Sequence, residues 1–281
     1  MLRALPRVSA ALSHLRPRLI EAAGRFELKY AIPKGLAPQI VEYAGQHCNL
    51  DSHSRELPNG RFGYKVRSLY FDGPELPLYA TRLDAKSVRT VLRVRTYGEA
   101  GPKEPLFLET KRKLNNRVIK HRIQAGSVSS WGGVSGLLGS PVGSLSHRFS
   151  TLIEQWRAAP VVLVNYDREI FVESGLDDQS TRLTLDTNVC AAQRTTDAAA
   201  SFGGTGSHIV PPDWMIMELK FNKVMPSWMR QLLQELSLCS ESVSKFGLGV
   251  CHTIRSESLA ERRLFVPYSI HSAYVKEPQT A

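Results

Sequence analysis

The sequence has no apolar run approaching the ~20 residues needed to cross a bilayer, so no transmembrane helix is expected. Its four cysteines, Cys48, Cys190, Cys239 and Cys251, are scattered without CxxC spacing. That excludes a disulfide framework and a zinc ribbon, and four reduced thiols are the norm for a cytoplasmic protein. The eight histidines form no metal-ligand spacing, and His121 reads as a wall or surface residue of a basic strand. There is no Walker A loop, zincin helix, kinase signature or dinucleotide fingerprint. Aromatic residues make up only 8% and form no base-stacking motif, so nucleic acid is not the expected partner. The first 24 residues carry Arg3, Arg7, Arg16 and Arg18 against one acid, Glu21, and lack the apolar core of a secretion signal. They read as a basic N-terminal extension, with membrane contact left open.

What the sequence does hold is charge of one sign. Lys and Arg number 36 against 26 Asp and Glu, a net charge of +10, in a chain of 281 residues that is 42% hydrophobic. Such a chain has ample material for a core, and its partner is expected to be anionic. Alternation and β-branched content predict strands over 25–32, 64–72, 88–97, 105–113, 117–124, 160–173, 180–188 and 214–221. Helices are predicted from Pro33 to about Cys48, over 75–83, 147–158 and 226–238, and over 242–252. Segments 49–62, 125–146 and 191–213 read as loops. The class is α+β and mainly antiparallel, with enough strands to close a barrel around a small ligand. The domain is expected over 25–265, with 266–281 as a tail.

Residues two apart in a strand share a face. Arg25, Glu27 and Lys29 therefore line up, as do Arg93 with Arg95, Glu109 with Lys111 and Lys113, Lys120 with Arg122, Arg182 with Thr184 and Asp186, and Glu218 with Lys220. The alternate faces are apolar. One such strand is ordinary, a wet outer face over a buried inner one. Six of them, with amphipathic helices such as 226–238 in need of an apolar sheet surface, place the charges inside. Enclosed cations cost several kcal/mol each unless water or a polyanion meets them. The interspersed Glu27, Glu109 and Glu218 offer hard oxygen ligands for Mg²⁺ or Mn²⁺.

Residues 25–30, 67–72, 92–98, 108–111, 165–168, 182–186, 217–220 and 244–246 together resemble, in order, the motifs of the VTC domain. That domain is the catalytic part of polyphosphate polymerases in the CYTH, or triphosphate tunnel metalloenzyme, superfamily. The resemblance implies an eight-stranded antiparallel β-barrel tunnel with helices packed outside. It implies transfer of the ATP γ-phosphate to a growing polyphosphate chain, with a divalent metal. The basic lining it implies is Lys29, Arg67, Arg93, Arg95, Lys111, Lys120, Arg168, Arg182, Lys220 and Lys245. Glu218 would be the main metal ligand, and Tyr166 and Ser244 would bond phosphate. Arg25 stands where the wider superfamily has the first acid of an ExExK strand, which favours the polymerase branch. The membrane helices and regulatory domain of the eukaryotic complexes are not in this sequence, so a soluble unit of bacterial type is expected. Hydrolysis of ATP or triphosphate in the same tunnel, and non-catalytic binding of polyphosphate or inositol polyphosphate, remain the alternatives. Oligomeric state is left open.

Overall fold

The computed structural model describes residues 25–83, 88–99, 101–114, 117–129, 144–173, 181–193, 202, 204, 206–240 and 243–254. The basic extension, most of the Gly/Ser-rich stretch after Ser129 and the C-terminal tail lie outside the described residues. Eleven strands are seen among them: β1 (Arg25–Pro33), β2 (Cys48–Leu50), β3 (Arg55–Glu56), β4 (Phe62–Asp72), β5 (Val88–Tyr97), β6 (Pro105–Leu114), β7 (Arg117–Ser127), β8 (Ala159–Glu173), β9 (Arg182–Gln193), β10 (Ser207–His208) and β11 (Trp214–Phe221). The α-helices are α1 (Ala37–Gly45), α2 (Pro77–Leu83), α3 (Leu145–Trp156), α4 (Ser227–Glu235) and α5 (Lys245–Thr253). No helix among the described residues is long and apolar enough to cross a membrane.

Eight of the strands form a ring in the order β9-β11-β1-β7-β6-β5-β4-β8, and β8 pairs back onto β9 to close it. Every pairing is antiparallel. The strands are not spaced evenly about an axis, so the barrel is approximate. The long predicted strands are all present. β2, β3 and β10 add short pairings within segments expected to be loops.

The strand β9 runs on to Gln193, past its expected end at 188, because a bulge carries it through. Its register with β8 slips between Asn165 and Asp167, opposite Asn188. Asn188 takes the left-handed conformation (φ 51°), which Asn tolerates better than most residues. Its amide donates to Asp167 Oδ2 at 2.7 Å, and its Oδ1 accepts from Lys34 Nζ at 3.0 Å. The extra residue resets the alternation, so Asp186 on one side of the bulge and Val189 and Ala191 on the other all face inward.

The apolar alternate faces point outward and are covered by helices. Leu183, Leu185, Met215, Met217, Leu219 and Phe221 of β9 and β11 pack with Ile40 and Ala44 of α1 and with Trp228, Met229 and Leu232 of α4. Leu69, Phe71, Leu92, Val94, Leu106 and Leu108 of β4, β5 and β6 pack with Phe149 and Ile153 of α3. Each fully buried side chain of this kind contributes about 1.5–3 kcal/mol.

The helix α5 departs from the expectation of outside packing and lies within the ring. Phe246, Leu248 and Val250 join a cluster with Val66, Val162, Val164, Val189, Ala191 and Ile216, whose side chains face inward. A Cβ added at Gly249 would come within 3.1 Å of Val164 Cγ2 and 3.2 Å of Val162 Cγ2. Glycine lets the helix backbone seat directly on β8.

Candidate active site

The rest of the interior is a cavity of about 440 Å³. Its wall carries eleven Lys and Arg residues against two acids, Glu27 and Glu218. Strand register explains the concentration. Arg93 lies opposite Glu109 and Lys111 opposite Val91, while Lys111 also faces Lys120 across β6 and β7. On the other wall Glu27 faces Lys220 and Lys29 faces Glu218. The N-terminus of α5 also faces this space: Ser244, its cap, and Lys245, its first residue, both line the cavity. The positive end of the helix dipole thus adds to the cationic field.

Four buried carboxylates hold this array together. Glu109, 0% exposed, meets Arg93 at 2.7 Å, Lys120 at 2.5 Å, Arg122 at 3.7 Å and Arg95 at 3.8 Å. Asp186, also 0% exposed, takes a two-pronged bond from Arg168 at 2.6 and 2.7 Å and an ion pair from Lys245 at 2.5 Å. Glu218 pairs with Lys220 at 2.8 Å and with Arg168 at 3.6 Å. Glu27 pairs with Lys111 and Arg25. Arg95 donates to Ser68 Oγ at 3.0 Å and to Tyr166 Oη at 3.1 Å, and Lys29 donates to the Val243 carbonyl at 3.1 Å.

The electrostatics follow from that crowding. Burial pushes carboxylates up, but at Glu218 the ammonium groups of Lys220, Lys29 and Lys111 outweigh it and hold the acid well below its ordinary range. The Arg93 and Arg95 guanidiniums do the same to Glu109. Burial, opposed by Arg168 and Lys245, leaves Asp186 at about 2. The lysines move the other way. Burial drives Lys120 down to about 6, Lys29 to about 7 and Lys220 to about 8, with nearby acids only partly restoring them.

Most of the candidate residues meet in this one cavity: Lys29, Arg93, Arg95, Lys111, Lys120, Tyr166, Arg168, Lys220, Ser244, Lys245, Glu27 and Glu218. Arg67, Arg182 and Glu109 do not line it. Arg67 takes the outward parity of β4, where it donates to the Phe202 carbonyl at 3.0 Å and pairs with Glu99 at 3.3 Å. Ser68 and Tyr70 take the inward positions instead. Arg182 lies opposite Lys220 but outside the cavity wall. Glu109, expected as a metal ligand, sits behind the wall among four cations and acts as their counter-ion.

Tyr70, Arg82 and Arg89 line the cavity without having been singled out from the sequence, and Lys113, which alternation put on the charged face of β6, lines it too. Arg89 was within reach of the alternation rule, since it extends the face of Arg93. Arg82 sits on α2, where strand parity says nothing. Tyr70 accepts from Arg93 Nη1 at 3.3 Å and stacks on Phe246.

Among the described residues no group of three or more His, Cys, Asp or Glu is placed to hold a metal. The donors present still suit Mg²⁺ or Mn²⁺. Such ions are held by one or two carboxylates with the remaining ligands from phosphate and water. Glu218 is ionised and faces the cavity, with Glu27 close enough to repel it.

A search of curated proteins gave no match. Among solved structures, the chain resembles a putative adenylyl cyclase from Hippeastrum, described as having a dominant triphosphatase activity. The identity is 13%, covering 82% of this chain and 97% of that one, with a TM-score of 0.48. It also resembles putative adenylate cyclases from Bacillus halodurans (10% identity, 79% and 94% covered, TM-score 0.46) and Vibrio parahaemolyticus (12%, 80% and 98%, 0.42). The family model of the VTC domain matches residues 24–254. This covers the whole ring and α5, and the chain belongs to the VTC domain family.

Proposed function

We propose that this chain is an enzyme acting on phosphate chains, and specifically a polyphosphate polymerase that transfers the ATP γ-phosphate to a growing chain. The observation that carries this reading is the enclosed wall of eleven cations and two acids. Phosphoryl transfer asks a protein mainly for positioning and charge stabilisation. Arg93, Arg95 and Arg168 supply planar forks suited to non-bridging oxygens. Lys29, Lys111, Lys120, Lys220 and Lys245 supply point charges, and the α5 N-terminus and Ser244 add hydrogen bonds to the terminal phosphate. Glu218, with Glu27 beside it, would hold a divalent ion, which when bound neutralises charge on the phosphate oxygens.

The wall favours a phosphate nucleophile over water. Its only carboxylates among the described residues, Glu27 and Glu218, are ion-paired and held below their ordinary range, so they are poor bases. A phosphate oxygen is already anionic and needs none. One observation favours hydrolysis: with no anion bound, Lys120 near 6 and Lys29 near 7 are able to accept a proton from water. A bound polyanion works against that, because its charge raises both ammonium groups again.

The test is purified protein with ATP and Mn²⁺, resolved on a polyphosphate gel. The polymerase reading expects long polymer and ADP. ADP and inorganic phosphate alone would mean a triphosphatase. No turnover with retained polyphosphate affinity would mean a binding module.

A further inference from the structure

Ten of the eleven cavity cations fall into two groups, and the eleventh, Lys29, donates to the Val243 carbonyl at 3.1 Å. Arg93, Arg95, Lys111, Lys120, Arg168, Lys220 and Lys245 each face a carboxylate within 4 Å. Arg82, Arg89 and Lys113 face none among the described residues. The Nε atoms of Arg82 and Arg89 are buried without a hydrogen-bond partner, a costly state in a folded protein. Arg89 and Lys113 are cross-strand neighbours at the ends of β5 and β6. Both are half-buried, nearer solvent than Arg95, Arg168, Lys220 and Lys245. Arg82 joins them from α2, against the Phe246 ring. They also repel one another: beyond burial, Arg89 is the foremost like charge lowering Lys113, and it lowers Arg82 as well.

A trio with no carboxylate within 4 Å among the described residues, two of its members at the ends of β5 and β6, is a place where an anion would complete the charge balance. We propose that Arg82, Arg89 and Lys113 form an outer anion subsite that holds the phosphates of a linear chain extending beyond the inner site, and so make the protein select long inorganic polyphosphate over triphosphate. This deepens the proposed function and rests on it. Triphosphate fits against the inner cations, which already have acids to order them. A longer chain continues past that group and is the ligand that reaches the outer trio. Its added phosphates meet charges that have no ion-pair partner among the described residues, so each contact forms without breaking an ion pair seen there.

The experiment is calorimetric titration of the full chain with inorganic triphosphate and, separately, with long-chain inorganic polyphosphate. Wild type is expected to bind the long chain more tightly. The double variant Arg89→Gln/Lys113→Gln is expected to narrow that preference by on the order of tenfold, chiefly through the long chain. A charge-matched control, Arg112→Gln/Lys223→Gln, removes two exposed cations, one of them from the outer face of β6, and should keep the preference. The outer subsite is overturned if the Arg89/Lys113 variant weakens both ligands equally or neither, or if the control narrows the preference as much. If wild type binds neither ligand, the proposed function falls with it. If wild type binds both and only the ratio fails to change, the outer subsite falls alone.

Discussion

The interior of this ring is filled in two different ways, often along a single strand. On β8 the inward side chains run Val162, Val164, Tyr166, Arg168. On β1 they run Glu27, Lys29, Ala31, and on β11 Lys220, Glu218, Ile216. Where the inward residues are apolar, the chain supplies its own filling, the helix α5. Where they are charged, no segment of the described chain fills the space, and a cavity remains. A helix of apolar residues gains by entering an apolar lumen. The same helix in the charged half would strip water from eleven cations with only a few acids to compensate. Asp186 stands at the boundary, tying Lys245 of α5 to Arg168 of the wall.

That boundary is where the comparison breaks most sharply. Asp186→Asn should cost about 3–5 kcal/mol, because two buried cations lose their carboxylate together. Urea unfolding measures it. The acid sign follows from the same residue. Asp186 is lowered from its ordinary 3.8 to about 2 by Arg168 and Lys245 against burial, so its contribution is present above 3.8 and is lost as pH falls toward 2. Wild-type stability should fall across that window, and the variant should show a shallower fall. Equal slopes would mean that Asp186 is not what seats the helix.

Next in size is the charged half itself. Glu218→Gln should lower polymer formation by on the order of 100-fold. Glu218 also neutralises Lys220, so the loss alone does not separate metal binding from charge balance. Adding Lys220→Met does not help if Lys220 itself grips phosphate, so the discriminating readout is the Mn²⁺ concentration for half-maximal rate. A metal ligand moves it upward; a pure counter-ion leaves it in place.

The apolar half responds through packing. Gly249→Leu places a branched side chain where Val162 and Val164 already stand at contact distance. Overpacking of this kind costs about 1–3 kcal/mol. Thermal unfolding reads it, and an unchanged midpoint would mean that α5 does not seat tightly inside the ring.

The same division explains what the sequence made legible. Alternation located all the long strands and the charged inward faces of β1, β5, β6, β7 and β11. It did not reveal α5 as an inner element, because a Gly-containing apolar helix reads alike whether it covers a sheet or fills a ring. Arg67 was misplaced because its neighbours Ser68 and Tyr70 are the inward pair, and nothing local marks a serine as the buried partner of Arg95. Arg82 sits on a short helix, so its approach to the cavity depends on how α2 packs. Glu109 follows the parity rule, and its enclosure by four cations depends on the three-strand register of β5, β6 and β7.

The smallest expected effect lies outside the ring and sharpens the contrast within it. Lys65 on the outer face of β4 pairs with Glu99 at 3.2 Å, and the Glu99 side chain is 73% exposed. Distance alone would rank this pair beside the inner ones. In water the attraction is screened and the two side chains lose freedom to make it, so Lys65→Gln should change stability by less than about 1 kcal/mol. Whatever effect remains should shrink further in high salt. Paired unfolding curves at low and high salt, set beside those of Asp186→Asn, measure the difference. Comparable losses for the two variants would mean that enclosure by the strands is not what makes the inner charges costly to leave unpaired, and the physical basis for an anion-filled cavity would go with it.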